Sequence, residues 1–240
     1  MKLIGMGNFR QFVPLQTTKT MIKKITWLFH RIKFSLIQTP FRLWRLITLW
    51  WSPFYRNYPT KIKLQAFLWL WFDLWFTFDI LEIINNLAQP HIRTLTDVEI
   101  LRGSKMFGKS LDFSLVVLDK HSIPVQRGFA YAFVTFNTIN CYRPMPTDVF
   151  VHELTHVWQY QNFGAGYIAA ALYAQKTPAG YNYAFNEGWH LSKNILEFNA
   201  EQQADLVQDA FRLQNNRGVQ WRGAVTKTAE IGRLAESVLT

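Results

Sequence analysis

Residues 149–163 read VFVHELTHVWQYQNF, and the string HELTH within them decides how the rest of the chain is interpreted. His152 and His156 stand four residues apart, so on a helix both imidazoles lie on one face and can bind one ion. Glu153 follows the first of them and can take the proton from a water whose pKa the ion has lowered. The string therefore predicts a helix that holds a catalytic zinc.

The alternative is a pair of hydrogen-bonded core histidines. With six His among 240 residues, a HExxH string is expected by chance about 0.005 times in a chain of this composition. Its neighbours are apolar: Val149, Phe150, Val151, Leu154 and Val157. An apolar helix buries polar side chains only where something satisfies them, so the metal site is favoured.

A catalytic zinc needs a third protein ligand and an open fourth position. The downstream candidates are Glu187, His190, Glu197, Glu201 and Asp205. We choose Glu201, because Glu201 and Asp205 lie four apart on a predicted helix over about residues 194–215, with only the small Ala204 between them. Asp205 is then expected to accept a hydrogen bond from a ligand imidazole.

His190 is the main rival for the third ligand. It is also one of three candidates for stabilising a transition-state oxyanion, together with Tyr181 and Tyr183. The sequence does not decide among them.

The pattern around HELTH predicts an α+β domain with a small sheet. Thr96 and Glu99 form a capping box for a helix that ends at Gly108. Residues 111–119 and 129–138 are predicted strands, and the second could be the edge to which an extended substrate adds. The HELTH helix is expected to start with Thr147 or Asp148 as its cap and to end before Gly164.

The first third of the chain has a different composition. Residues 1–72 contain twelve Lys or Arg and no Asp or Glu, whereas the rest has a net charge of −2, and most of the ten Trp also lie in this third. Five apolar residues recur at helical spacing: Ile22, Ile25, Phe29, Ile32 and Leu36. They predict a basic amphipathic helix, which Pro40 is expected to interrupt.

Residues 63–88 are predicted to form one very apolar helix, long enough to approach the thickness of a bilayer. Asp73, Asp79 and Glu82 argue against a membrane span, because an acid in the bilayer is costly. We therefore expect this helix to be buried in a bundle or to lie at an interface. The single cysteine, Cys141, excludes an intrachain disulfide.

Two interpretations of this basic region stay open. Its Trp residues could pack inward in a helical subdomain, or residues 21–88 could attach the chain to an anionic membrane surface or to a secretion-complex protein. No nucleic-acid reader motif is present, so nucleic acid is not expected as a partner.

A resemblance emerges from three stretches: 95–118 (LTDVEILRGSKMFGKSLDFSLVVL), 149–161 (VFVHELTHVWQYQ) and 198–211 (FNAEQQADLVQDAF). HELTH followed by a Glu and an Asp four apart resembles the gluzincin arrangement of zinc metallopeptidases. The three stretches together resemble bacterial zincin-like proteins, some of them associated with Vgr-type (type VI) and other contractile secretion systems. The resemblance implies a zincin fold, Zn²⁺ held by His152, His156 and Glu201, and Glu153 as base.

These observations predict three regions: a basic, Trp-rich helical region over 1–90, a zincin-like domain over 91–215, and a C-terminal link and short helix over 216–240. The expected function is hydrolysis of an amide bond in a peptidoglycan stem peptide or a protein. The expected place is the bacterial cell envelope at a membrane, or the cytoplasm before delivery by a secretion system. The alternative is a non-catalytic zinc-bearing adaptor.

Overall fold

The computed structural model of the chain describes residues 15–89, 91–122, 131–142 and 144–238. The first fourteen residues of the predicted N-terminal region and the start of the strand predicted over 129–138 lie outside these ranges. The described residues form eight α-helices: α1 Leu15–Thr48, α2 Thr60–Leu74, α3 Thr77–Ala88, α4 Asp97–Phe107, α5 Thr147–Phe163, α6 Tyr167–Ala174, α7 Ala200–Gln214 and α8 Thr228–Glu236.

Four short strands form one mixed sheet: β1 Ile92–Thr94, β2 Val117–Asp119, β3 Ala132–Thr135 and β4 Thr138–Cys141. Their order is β1-β2-β4-β3, with β2 and β4 parallel and the outer pairs antiparallel. The register pairs Leu118 with Ile139 and Val134 with Ile139. The predicted α+β class with a small sheet is confirmed, and β3 lies at one edge of that sheet.

The HELTH helix, α5, lies at the centre of the molecule. One apolar core surrounds its first half and contains side chains from α4, the sheet, α7 and α8. A second core surrounds its C-terminal end and contains side chains from α1, α2 and α6. The helix ends at Gly164, whose φ of 73° favours glycine. A Cβ there would come within 2.7 Å of Leu70, so glycine also permits the close approach of α2.

Two expectations for the N-terminal helices are wrong. Pro40 does not interrupt α1, which runs through it. Proline removes one N–H, but Leu36, whose carbonyl loses its partner, lies on the exposed side of the helix. Residues 63–88 form two helices, because Phe76 takes a left-handed conformation with φ of 59° and ends the first of them. None of the described helices is both long enough and apolar enough to cross a bilayer.

Buried ion pairs hold the N-terminal helices together. Arg31 of α1 is fully buried, with Nη2 lying 2.6 Å from Glu82 and 2.9 Å from Asp79, both on α3. Arg42 pairs with Asp79 and donates to the backbone carbonyl of Asp73 at 2.6 Å. We call these five residues the ion cluster.

The ion cluster also ties these helices to the rest of the molecule. Glu82 accepts hydrogen bonds from the backbone N–H of Asn137 and the hydroxyl of Thr138, at the turn between β3 and β4. Arg31 donates to the hydroxyl of Tyr160 on α5 at 3.4 Å. The predicted boundary near residue 90 stays a prediction, but α1 to α3 share an interior with the elements that follow.

Of the local structures predicted outside the N-terminal helices, some are confirmed and others differ in the structure. The capping box of Thr96 and Glu99 and the end of α4 at Gly108 are confirmed. The strand predicted over 111–119 is shorter, because the Asp112 side chain starts a 3-10 turn before β2. The stretch over 129–138 contains a turn after β3 and leads into β4. Neither Thr147 nor Asp148 caps α5, because the N-cap position is Pro146 and the carboxylate of Asp148 pairs with Arg212 at 2.8 Å.

Candidate metal site

The two histidines of HELTH lie side by side on α5. Their ring centroids are 5.0 Å apart and their planes cross at 77°. Both side chains are buried, at 8% and 7% exposure. The helix buries nearly every side chain over this stretch, so the imidazoles lie in a protein interior and not on a solvated face.

Helix α7 supplies the third group. It begins with a capping box in which Asn199 and Gln202 bond each other's backbone N–H, and this places Glu201 in the first turn. Its Oε2 lies 3.2 Å from Nε2 of His156 and 3.5 Å from Nε2 of His152. The three ligand atoms lie within 4.8 Å of one another, so one metal ion could contact all of them. Ala204 is fully buried where the two helices pack.

Neighbouring side chains orient both imidazoles. Nδ1 of His152 lies 2.9 Å from Oδ1 of Asp205, which is the contact expected from the sequence. Nδ1 of His156 lies 2.9 Å from Oε1 of Gln159. Because a carboxylate only accepts, and because Gln159 donates its amide to Ala200 and so presents its oxygen to the ring, each Nδ1 carries the proton. Both Nε2 atoms then face Glu201 and are the atoms that would bind a metal.

The two carboxylate oxygens of Glu201 differ in their contacts. Oε1 accepts a hydrogen bond of 2.8 Å from Nε2 of Gln175, at the end of α6. Oε2 is buried and has no hydrogen-bond partner among the described residues. Burial opposes ionisation, but His156 and His152 outweigh it and hold the pKa of Glu201 well below its usual range. An ionised carboxylate oxygen together with the Nε2 atoms of two imidazoles is a fitting ligand set for a divalent cation.

The charge of the site also favours a bound metal ion. Glu153, Glu201 and Asp205 are all buried, and no Lys or Arg of the described chain pairs with them. Burial opposes protonation of the imidazoles, yet the carboxylates raise the pKa of both His152 and His156. Three buried acids without a fixed cation leave a negative charge that Zn²⁺ would offset. The residues present therefore fit the metal.

The pKa of Glu153 is shifted in the opposite direction from that of Glu201. Burial raises the pKa of Glu153, and the two histidines only partly oppose the rise. It is not one of the three groups that converge on a common point. A carboxylate with a raised pKa beside a metal site is suited to accept and return a proton.

The three oxyanion candidates lie in different places. The ring of Tyr181 is 6.0 Å from the ring of His152 and is 39% exposed. Tyr183 is buried and donates its hydroxyl to Asp209 at 2.7 Å. His190 lies on a 3-10 turn with its ring against Trp189, outside the converging group. Of the three, Tyr181 borders the site. The rival ligands Glu187 and Glu197 are exposed and also lie outside that group.

Sequence reasoning missed three residues of the site: Gln159, Gln175 and Trp221. The indole N–H of Trp221 donates to Oδ2 of Asp205 at 2.9 Å, so the carboxylate is held between an imidazole and an indole. The C-terminal link that carries Trp221 contains no motif that predicts a role in a metal site. Gln159 could have been noticed, since it lies three residues after His156 on the same helix.

The chain is similar to one known secretion protein. Over 141 residues it is 30% identical to the type VI secretion system spike protein VgrG2b of Pseudomonas aeruginosa. The alignment covers 52% of this chain but only 13% of that protein, so the chain spans a small part of the relative's length. No protein-family model matches the chain, and no solved structure matches it. The similarity links about half of the chain to type VI secretion.

Proposed function

We propose that the chain is a zinc-dependent peptidase of the zincin type, with His152, His156 and Glu201 as ligands and Glu153 as general base. The observation that carries the proposal is the convergence of three buried ligand atoms, in which Oε2 of Glu201 faces the Nε2 atoms of both histidines. A bound zinc would lower the pKa of a water toward 7 and polarise the carbonyl of the bond to be cleaved.

Glu153 has the proton-transfer role in this proposal. It takes a proton from the attacking water as the oxygen forms its bond to the carbonyl carbon. It then gives that proton to the amide nitrogen as the C–N bond breaks. Its raised pKa suits both steps, because a carboxylate with a low pKa is a weak base and accepts a proton poorly.

Two further elements would position the substrate. The hydroxyl of Tyr181, at the border of the site, would donate to the developing oxyanion. The edge strand β3 packs beside α5, so an extended peptide could add to it and bring an amide bond to the metal. Both roles are part of the proposal and follow from where the residues lie.

The substitution Glu153→Gln tests the proposal. The variant should keep one zinc per chain and lose hydrolysis by about 10²- to 10⁴-fold, because it keeps the shape of the side chain and removes the base. Zinc content by mass spectrometry and cleavage of a peptide library measure the two effects. Glu236→Gln, at an exposed carboxylate on α8, is the matched control and should match the parent. A Glu153→Gln variant as active as the parent contradicts the assignment.

The substrate class is a separate question. Similarity to a segment of a type VI secretion spike protein supports work at a bacterial envelope, where either a peptidoglycan stem peptide or a protein could be cut. Incubating the zinc-loaded chain with purified sacculi and with denatured casein separates the two. Release of muropeptides alone identifies a cell-wall substrate, and release of casein fragments alone identifies a protein substrate.

The alternative function, a non-catalytic zinc-bearing adaptor, would have a different coordination sphere. An adaptor site would be closed by a fourth protein ligand such as His190, whereas a peptidase site keeps one position open. X-ray absorption at the zinc edge counts the nitrogen and oxygen ligands, and His190→Ala should leave the spectrum unchanged if the site is open. A spectrum that changes in this variant, together with no cleavage of either substrate, would favour the adaptor.

A further inference from the structure

Helix α1 is oriented opposite to an ordinary amphipathic helix of a water-soluble protein. The apolar stripe of Ile22, Ile25, Phe29, Ile32 and Leu36 faces solvent, with Phe29 69% exposed and Leu36 64% exposed. The side that packs inward buries Arg31, Ser35 and Arg42, together with the apolar residues Trp27 and Leu46. A helix in water normally buries its apolar stripe, so this orientation calls for an apolar neighbour.

Helix α3 has the same inverted arrangement. Its inward residues include Asp79, Glu82 and Asn86, which are 2%, 4% and 3% exposed. Its outward residues are all apolar: Ile80, Leu81, Ile84 and Leu87. Paired charges inside and aliphatic side chains outside are the arrangement of helices that contact lipid.

The exposed side chains of the three helices form what we call the apolar face. Its members are the five residues of the α1 stripe, then Ile37, Phe41, Leu43, Trp44, Ile47, Trp50, Trp51, Leu64, Phe67, Leu68, Trp71, Phe72, Trp75 and the four outward residues of α3. Nine of them are Phe or Trp. At about 100 Å² for each half-exposed ring, these nine alone expose on the order of 900 Å², more than the largest patch on an ordinary monomer.

The charges of this region identify the partner. Asp73, Asp79 and Glu82 are the only acids among residues 15–89, and the ion cluster buries all three. Every exposed charge on the described part of α1 to α3 is therefore positive, as at Lys33 and Lys61. A second copy of this chain would present the same cations and repel the first. An anionic lipid surface offers both the apolar contact and the opposite charge.

We propose that the apolar face docks the protein on an anionic membrane by lying in the interface between headgroups and acyl chains. Trp residues prefer this depth, and several are exposed here, including Trp71 and Trp75 at the corner between α2 and α3. At about 1.5 Å per residue, α1 extends for roughly 50 Å, a long contact along the membrane plane. The inference does not depend on the zinc chemistry.

Vesicle binding by the full chain tests the inference. The chain should sediment with vesicles of phosphatidylcholine and phosphatidylglycerol at least about tenfold more strongly than with phosphatidylcholine alone, since each surface cation adds attraction to anionic lipid. Trp71→Ser with Trp75→Ser should reduce binding to the anionic vesicles by tenfold or more. Lys33→Glu with Lys61→Glu should reduce the preference for anionic over neutral vesicles.

Matched controls use exposed residues outside these helices. Tyr131→Ser with Tyr142→Ser, and Lys105→Glu with Lys109→Glu, should bind like the parent. Circular dichroism and thermal unfolding establish that each variant folds. Failure of the parent to bind anionic vesicles overturns the inference, as does a Trp71 and Trp75 variant that binds like the parent. A parent dimer that this variant converts to a monomer also overturns it, because a second copy would then cover the face.

Discussion

The ion cluster of the N-terminal helices and the candidate metal site both bury carboxylates, yet they differ in what stands opposite each carboxylate. In the cluster, Arg31 and Arg42 face Asp79, Glu82 and Asp73 at short range. Guanidinium groups stay protonated, so each of these carboxylates has a permanently charged partner within the chain.

The metal site has no fixed cation. Glu201 faces two imidazoles, whose charge depends on a proton that a metal ion can replace. Asp205 lies 2.9 Å from Nδ1 of His152 and accepts a hydrogen bond from the indole of Trp221, and neither neighbour has a permanent charge. The comparison indicates that a buried carboxylate paired with Arg serves the fold, whereas one that faces imidazoles is prepared for a metal. Three substitutions test this distinction.

Glu201→Gln should have the largest effect, on metal binding. We expect zinc affinity to fall by about 10³-fold, since one ligand accounts for roughly a quarter to a third of the binding free energy of a structural-strength zinc site. Competition with a chromophoric chelator measures the dissociation constant. The fold should persist, because the substitution removes a buried charge that no Arg compensates. Unchanged zinc affinity would remove Glu201 from the ligand set.

Glu82→Gln should lower the stability of the fold and leave zinc binding unchanged. The glutamine oxygen can still accept from Asn137 and Thr138, but Arg31 loses a charged partner at 2.6 Å. We expect the free energy of unfolding to fall by about 3 kcal/mol, the lower end for breaking a buried ion pair, with zinc affinity unchanged. Urea unfolding followed by circular dichroism measures the first quantity. A folded variant that binds zinc poorly would mean that the two regions are not separate in role.

Asp205→Asn should have the smallest effect of the three. The residue holds His152 in position and does not contact the ion, so zinc affinity should fall by about 10- to 100-fold. Trp221→Phe removes only the indole donor to the same carboxylate and should weaken binding less than Asp205→Asn does. Chelator competition on both variants gives the order. A loss in Asp205→Asn as large as that in Glu201→Gln would make Asp205 a ligand.

The sequence predicted the parts of the site that are local in the chain. HELTH places two histidines on one helical face because its period matches the helix, and the Glu201 and Asp205 pair was found by the same periodicity. Trp221 and Gln175 reach the site from separate segments. No local pattern links a Trp in a C-terminal link to an Asp sixteen residues earlier, so these contacts depend on tertiary packing.

For the N-terminal helices, the sequence predicts an amphipathic helix but not which of its sides packs inward. The periodicity of α1 correctly predicts that the helix is amphipathic, but it does not tell which side packs inward. That choice depends on Asp79 and Glu82, which lie about fifty residues later and neutralise Arg31. Likewise, Pro40 argues locally for a break, and the tertiary pairs on either side of it keep α1 continuous.

The contact between Arg31 and the hydroxyl of Tyr160 spans 129 positions of the chain. At ribosomal rates of about 5 to 20 residues per second, α1 is synthesised about 6 to 26 s before the helix that completes its surroundings. Until Asp79 and Glu82 are synthesised the nascent chain has an unpaired arginine, and over the whole interval it has a row of uncovered aromatic rings. Early engagement by a chaperone or by a lipid surface would protect it from aggregation, and folding of the whole chain should be slow because so distant a contact must close.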